Sequence, residues 1–181
     1  MQFVSSNIFI IAQIFGFAAM LTAFITYQLN RHKSIMFVLI LVASLWCCHF
    51  LCLKEYTAVA MNFINVIRCF VYSKRDKKWA DKKFIPYLFV LLSGILTIIT
   101  WKNLYSLLPF FGSVFAIFAN WQTNPKTLKL LTIPVNICWF TYNLTCSSWA
   151  GMINEAITFL SIVISFIRYR IQDKKQKQDR K

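Results

Sequence analysis

Apolar residues run in stretches of about twenty along most of the chain, each stopped by a short polar or charged connection. A helix that crosses the hydrocarbon of a bilayer needs about 20 mostly apolar residues. On that ruler the pattern predicts helices near residues 8–28, 34–53, 57–73, 84–101, 104–122, 128–146 and 150–171. The connections are short apart from the basic stretch SKRDKKWADKK (residues 73–83), and none has room for a soluble domain. The expected fold class is an all-α membrane protein with seven transmembrane helices. The first run is expected to remain as a membrane helix rather than a cleaved signal peptide. MQFVSSN carries no Lys or Arg to form a positive leading region, and no A-x-A cleavage site follows.

The polar positions repeat. YQLN (Tyr27 to Asn30) closes the first predicted helix and WQTN (Trp121 to Asn124) closes the fifth, each followed by basic residues. Ser44 to Asn62 overlays Asn136 to Asn154 without a gap, which sets Ala58 on Ala150 and Asn62 on Asn154. Upstream, Gly16 and Gly112 close matching Phe-Gly pairs. The expected organisation is a first three-helix repeat over 8–73, a basic loop and linker helix over 74–103, a second repeat over 104–171 and a basic tail over 172–181. Because one helix separates the triplets, both enter the membrane in the same direction.

Charge sharpens this picture. The net charge of +14 is compatible with nucleic-acid binding, but its placement argues against that. Seventeen of the twenty Lys and Arg fall in or at the edges of the connections after the first, third and fifth predicted helices and at the end of the seventh; Lys54 and Lys102 fall in the other connections and Arg68 well inside a helix. This alternation is the positive-inside pattern. It predicts a multi-pass membrane protein with its N-terminus outside and its C-terminus cytoplasmic, with the bilayer and its anionic headgroups as partners. A composition of 58% hydrophobic residues, with a mean hydropathy of +0.56, agrees. The six cysteines have no metal-type spacing with a histidine and read as small packing residues. Cys52 and Cys146 would lie near the outer face, within conceivable reach of a disulfide.

Enzyme chemistry has no foothold here: no glycine-rich phosphate loop, no H-E-x-x-H, no carboxylate pair within a span. No enzyme activity, cofactor or metal is expected. NLT at Asn143 matches a glycosylation sequon but falls within the sixth helix and is set aside.

The intramembrane polar residues carry the remaining signal, because an unpaired polar group in hydrocarbon must face a partner helix or a wet cavity. Asn62 and Asn65 lie one helical turn apart on one face. Arg68 drifts round toward the helix end, where it can snorkel to the interface. Asn62 with Asn154 either frames a polar ring near mid-membrane or acts as packing glue between helices. Glu155 reads as a functional carboxylate or as a first-turn acid complementing the helix dipole. His49 lies at a similar depth and forms a conceivable coupling pair with it.

The helix pattern, the Gln-x-Asn closures (Gln28 and Asn30, Gln122 and Asn124) and the paired asparagines together resemble the YgjV-type bacterial inner-membrane proteins over essentially the whole chain. That family has no assigned biochemical activity. More distantly the architecture resembles the SWEET, semiSWEET and PQ-loop superfamily of small-solute carriers. In those carriers an Asn in the third helix of each triplet and a Trp in the second line the central pocket. The resemblance implies substrate-binding roles for Asn62, Asn154, Trp46 and Trp139, the indoles as walls beside the amides, although a Trp in mid-helix is equally ordinary packing. One departure stands out. No proline precedes the glutamines, and among the prolines only Pro134 sits inside a matching helix, so the superfamily's proline hinge is not carried over. The expectation is a transporter or facilitator of a small neutral or weakly charged solute, with homo-oligomers allowed. The alternative is a non-transporting membrane receptor or assembly partner.

Overall fold

The computed structural model describes residues 5–25, 32–122 and 124–178. Among the described residues it is all-helical: α1 Ser6–Ile25, α2 His32–Cys52, α3 Tyr56–Tyr72, α4 Ile85–Ile99, a single 3-10 turn Leu104–Ser106, α5 Leu107–Trp121, α6 Pro125–Thr145 and α7 Trp149–Gln178. Four helices are long and apolar enough to cross a bilayer: Ser6–Ile25, Ser34–Cys52, Leu104–Trp121 and Trp149–Ile171. α3 and α4 are apolar but shorter, with 17 and 15 residues. α6 has the length, but the lysines of its first turns and its internal asparagines dilute its apolar character.

Local chemistry sets the ends. Asn124 caps α6, its side-chain oxygen accepting from Lys126 N at 2.9 Å, and Pro125 opens that helix where a missing N–H costs nothing. Gln122 leaves α5 in extended backbone (φ −70°, ψ 140°). The second Gln-x-Asn closure is therefore a stop and a restart. Its counterpart at Gln28 and Asn30 lies outside the described residues.

The α2–α3 and α6–α7 corners are built alike. Each has a non-glycine residue in the left-handed region, Lys54 (φ 56°) and Ser147 (φ 55°). In each, the next N–H reaches back to a carbonyl five residues earlier, Glu55 N to Phe50 O and Ser148 N to Asn143 O, both 2.9 Å. These are the bonds of a Schellman helix ending. Counted from Lys54 and Ser147, Trp46 and Trp139 occupy the same position, as do Asn62 and Glu155. Asn154 falls one residue early. The gap-free overlay of the sequence is thus one residue out: it matches the asparagines at the expense of the tryptophans, whereas the corner geometry aligns the tryptophans.

Helix contacts follow a closed circuit: α1 with α2, α2 with α3, α3 with α5, α5 with α6, α6 with α7, and α7 back to α1. α4 packs against α3 and α5. At the α1–α7 seam, Gln13 donates to Ser147 O at 3.3 Å and accepts from Ala150 N at 3.1 Å. At the α3–α5 seam, Tyr72 donates to Ile117 O and the Arg75 guanidinium lies 3.9 Å from the Trp121 ring centroid. α4 shows why the surroundings are lipid. Its buried stripe is Ile85, Phe89, Ser93 and Thr97, while Leu91, Ile95, Ile98 and Ile99 face outward. Both hydroxyls bond to carbonyls of their own helix. Polar groups turned in and leucines turned out suit a helix whose solvent offers no hydrogen bonds.

His49 is fully buried (0% exposed) and has a structural position. Its Nδ1 lies 2.6 Å from Ala12 O and its Nε2 2.7 Å from Ser148 Oγ. A carbonyl only accepts, so Nδ1 carries the proton and Nε2 accepts from the serine. The ring thereby fastens α1, α2 and the start of α7 together. Gly16 makes room: a Cβ there would stand 2.6 Å from Ala150 Cβ and 2.9 Å from His49 Nδ1. All six cysteines are free thiols, Cys52 and Cys146 included.

Candidate functional site

A cavity of about 240 Å³ lies inside the helix circuit. Trp46 and Phe50 of α2 reach it, with Met61, Asn62, Asn65 and Arg68 of α3. α5 adds Ser113 and Asn120; α6 adds Asn136, Trp139 and Asn143; α7 adds Asn154, Glu155 and Thr158. The structure therefore brings together Asn62, Asn154, Trp46, Trp139, Asn65 and Glu155. It does not bring His49, which makes the α1–α2–α7 clasp outside the cavity and does not bond to Glu155. Gln122 and Asn124 serve the α5–α6 turn and stay away from the cavity.

The wall nearest the two corners is aromatic. Phe50 stacks on Trp46 with ring centroids 5.9 Å apart and lies 5.8 Å from Trp139 and 6.2 Å from Tyr142. Phe50 is 2% exposed, so this layer closes the cavity on that side. Behind it the Tyr142 hydroxyl donates to Glu55 Oε2 at 2.8 Å, and Lys102 pairs with Glu55 at 2.7 Å. Trp139 comes close to α5 only because residue 112 is glycine: a Cβ there would stand 2.8 Å from the indole Nε1. Toward the other end, Asn120 lines the cavity one residue before the end of α5 and is exposed, so the cavity opens in that direction.

The polar side chains are mostly held by their own helices. Asn62 donates to Ala58 O at 3.0 Å and Asn154 to Glu155 Oε1 at 3.0 Å. Neither of these bonds crosses to another helix, so the paired amides do not pin the two triplets together. A crossing bond is made by Asn136. With its nitrogen toward the carboxylate it donates to Glu155 Oε2 at 2.9 Å and accepts from Phe159 N at 3.2 Å. Glu155 is the seventh residue of α7, past the first turn, and its partners are two amides rather than the helix terminus. Asn136 and Glu155 also border a second hollow of about 430 Å³ between α6 and α7, otherwise lined mainly by Ile137, Phe140, Phe159 and Leu160. The two residues thus form a partition between the interior and an apolar groove.

Arg68 departs most from the sequence expectation. It does not snorkel; it is 3% exposed and turned inward. Its Nη2 donates to Asn65 Oδ1 at 2.7 Å, and its Nε has no hydrogen-bond partner. Asn65 is thereby a positioning group for a guanidinium. Asn120, Asn136 and Asn143 were also missed from the pattern. The signal existed, since each is an amide within an apolar run, and six of the chain's ten asparagines line this one cavity. Among the described residues no cluster of three or more His, Cys, Asp or Glu could hold a metal ion.

The profile of the Imp-YgjV family, described as bacterial inner membrane protein, matches residues 10–173. No curated protein matches the chain, and no solved structure matches it. The likeness to the sugar carriers therefore rests on the residue pattern alone. With an all-helical fold, four helices fit to span a bilayer and a match over nearly its whole length, this chain belongs to the Imp-YgjV family of bacterial inner membrane proteins.

Proposed function

We propose that this protein is a carrier or facilitator of a small solute, in which α1–α3 and α5–α7 act as two parallel three-helix units joined by α4. The observation that carries this reading is the cavity: amides from four helices and indoles from two surround about 240 Å³ of space inside a bundle whose outer face is apolar. A packing role would leave such side chains bonded to one another across helices. Asn136 does cross to Glu155, but Asn62 bonds within its own helix and Asn143 Oδ1 bonds nothing. The likeness of the α2–α3 and α6–α7 corners supports the two-unit arrangement. The basic connections support an N-terminus outside and a cytoplasmic C-terminus. In that orientation the mouth at Asn120 faces the cytoplasm and the Phe50 layer seals the outer side. On this reading the protein binds and moves its solute without chemical change.

The experiment is a thermal-unfolding screen of the purified protein in detergent against sugars, amino acids, nucleosides and vitamins, since a ligand that binds the folded state raises apparent stability. A stabilising compound whose effect disappears in Asn62→Ala and Asn154→Ala, with both variants folded, supports the carrier. Silence across the panel with well-folded protein favours a non-transporting receptor or assembly partner.

A further inference from the structure

We infer that the solute bound in this cavity carries a single carboxylate, received by Arg68, and that the uncharged asparagines around it bind the polar remainder of the molecule. The inference rests on the carrier reading above and specifies the substrate class of that same site.

The guanidinium is the reason. Arg68 is 3% exposed on a membrane helix, it lines the cavity, and among the described residues it makes no ion pair. A guanidinium stays protonated at any physiological pH. Its charge is balanced by nothing but the Asn65 amide at 2.7 Å, and its Nε–H is unsatisfied. A buried charge without a counter-ion is expensive in protein and more so in lipid, which is why such residues pair with one another or mark a ligand path. The one carboxylate on the cavity, Glu155, is no counter-ion. It is engaged by the amides of Asn154 and Asn136 and lies beyond ion-pair reach of Arg68. With no anion among the described residues to pair with it, Arg68 is matched by one that the solute brings.

Three features narrow the anion. Arginine offers parallel N–H bonds in a fork that matches a carboxylate. Among the described residues Arg68 is the one cation on the cavity, so a single negative charge matches it one to one, whereas a phosphate of about −1.5 to −2 brings more charge than it can pair. The remaining lining is amide, which donates and accepts equally well and suits hydroxyls, amides or a second uncharged polar group. The volume, about 240 Å³, is below the range of about 300–1,000 Å³ usual for drug-sized ligands. It suits a small hydroxy or amino acid and excludes a lipid.

The test uses matched pairs on the purified full chain in detergent: lactate against lactamide and gluconate against glucose, with inorganic phosphate as a further anion. Thermal unfolding is followed for wild type, Arg68→Gln and Arg68→Lys. The expected result is a rise of about 3 °C for at least one monocarboxylate at about ten times its Kd. That rise should be absent for its neutral partner, lost in Arg68→Gln and weakened in Arg68→Lys. Arg68→Gln is also expected to unfold no earlier than wild type without ligand, because it removes an uncompensated charge, whereas a residue that merely braces the helix would lower the midpoint. The wild-type pairs alone decide the question should Arg68→Gln fail to fold. A neutral partner stabilising as well as its acid overturns the carboxylate and leaves the carrier standing, as does an acid effect that survives Arg68→Gln. Phosphate as the sole stabilising anion overturns the single-charge argument. Silence in every arm removes carrier and carboxylate together.

Discussion

The Tyr142 hydroxyl donates to Glu55 Oε2 at 2.8 Å, joining α6 to the α2–α3 corner across 87 residues of sequence. Lys102, from the α4–α5 connection, pairs with the other oxygen of the same carboxylate at 2.7 Å. Two connections and helix α6 therefore meet at one acid on the closed side of the cavity, behind the Phe50 layer. A hydrogen bond to a charged group contributes about 1.5–3 kcal/mol. Tyr142→Phe keeps the ring against Phe50 and removes only that bond. It is expected to lower the unfolding midpoint by about 3–8 °C in a detergent melt, while any ligand-induced shift keeps its size because the cavity lining is unchanged.

His49→Ala is expected to be far more damaging. It empties a fully buried ring site, leaves the Ser148 hydroxyl without the imidazole and strips the Ala12 carbonyl of the bond that the ring adds, contacts that join α1, α2 and α7. Losing core volume together with buried hydrogen bonds costs about 3–5 kcal/mol. The protein should extract in lower yield and melt well below wild type. A variant that folds normally but loses ligand response would contradict the structural role given to His49.

The glycines allow a paired comparison. Gly112→Ala places a methyl where Trp139 Nε1 now sits, forcing α5 and α6 apart or the indole out of the cavity wall. About 1–3 kcal/mol of destabilisation is expected from such overpacking, with weakened ligand shifts. Gly94→Ala meets only Phe110, at 3.8 Å, in the interior of α4. Removing backbone freedom there should stabilise the protein by about 0.5–1 kcal/mol. Melting both variants side by side separates a glycine required by close packing from one that is merely present.

The orientation has its own test. Green fluorescent protein fused after Lys181 should fluoresce and alkaline phosphatase at the same point should stay inactive, as expected for a cytoplasmic C-terminus under the positive-inside rule. The reverse pair of results would turn the cavity mouth at Asn120 outward and require a new account of the basic loops.

The sequence by itself determined the helices, because their cause is local. An apolar run long enough for a bilayer forms a helix wherever it can satisfy its own backbone. Asn124 with Pro125 starts α6, and the basic stretch after Tyr72 breaks the chain before α4. Periodicity also located Asn62 and Asn65 on one face of α3. Only the tertiary structure decided what those faces meet. A polar residue in an apolar run must turn inward, but whether it meets a neighbour, a clasp or open space depends on how seven helices are rotated against one another. That is why Arg68, legible as a helix-end anchor, is a buried cation beside Asn65, and why His49, at the same depth as Glu155, belongs to a clasp behind the cavity. Asn143, set aside as a sequon within a helix, lines the cavity. The corners at Lys54 and Ser147 show the same limit in register. Identity of residue types aligned Asn62 with Asn154, but the backbone bonds that turn the chain align Asn62 with Glu155, and those bonds are made between residues whose side chains have nothing in common.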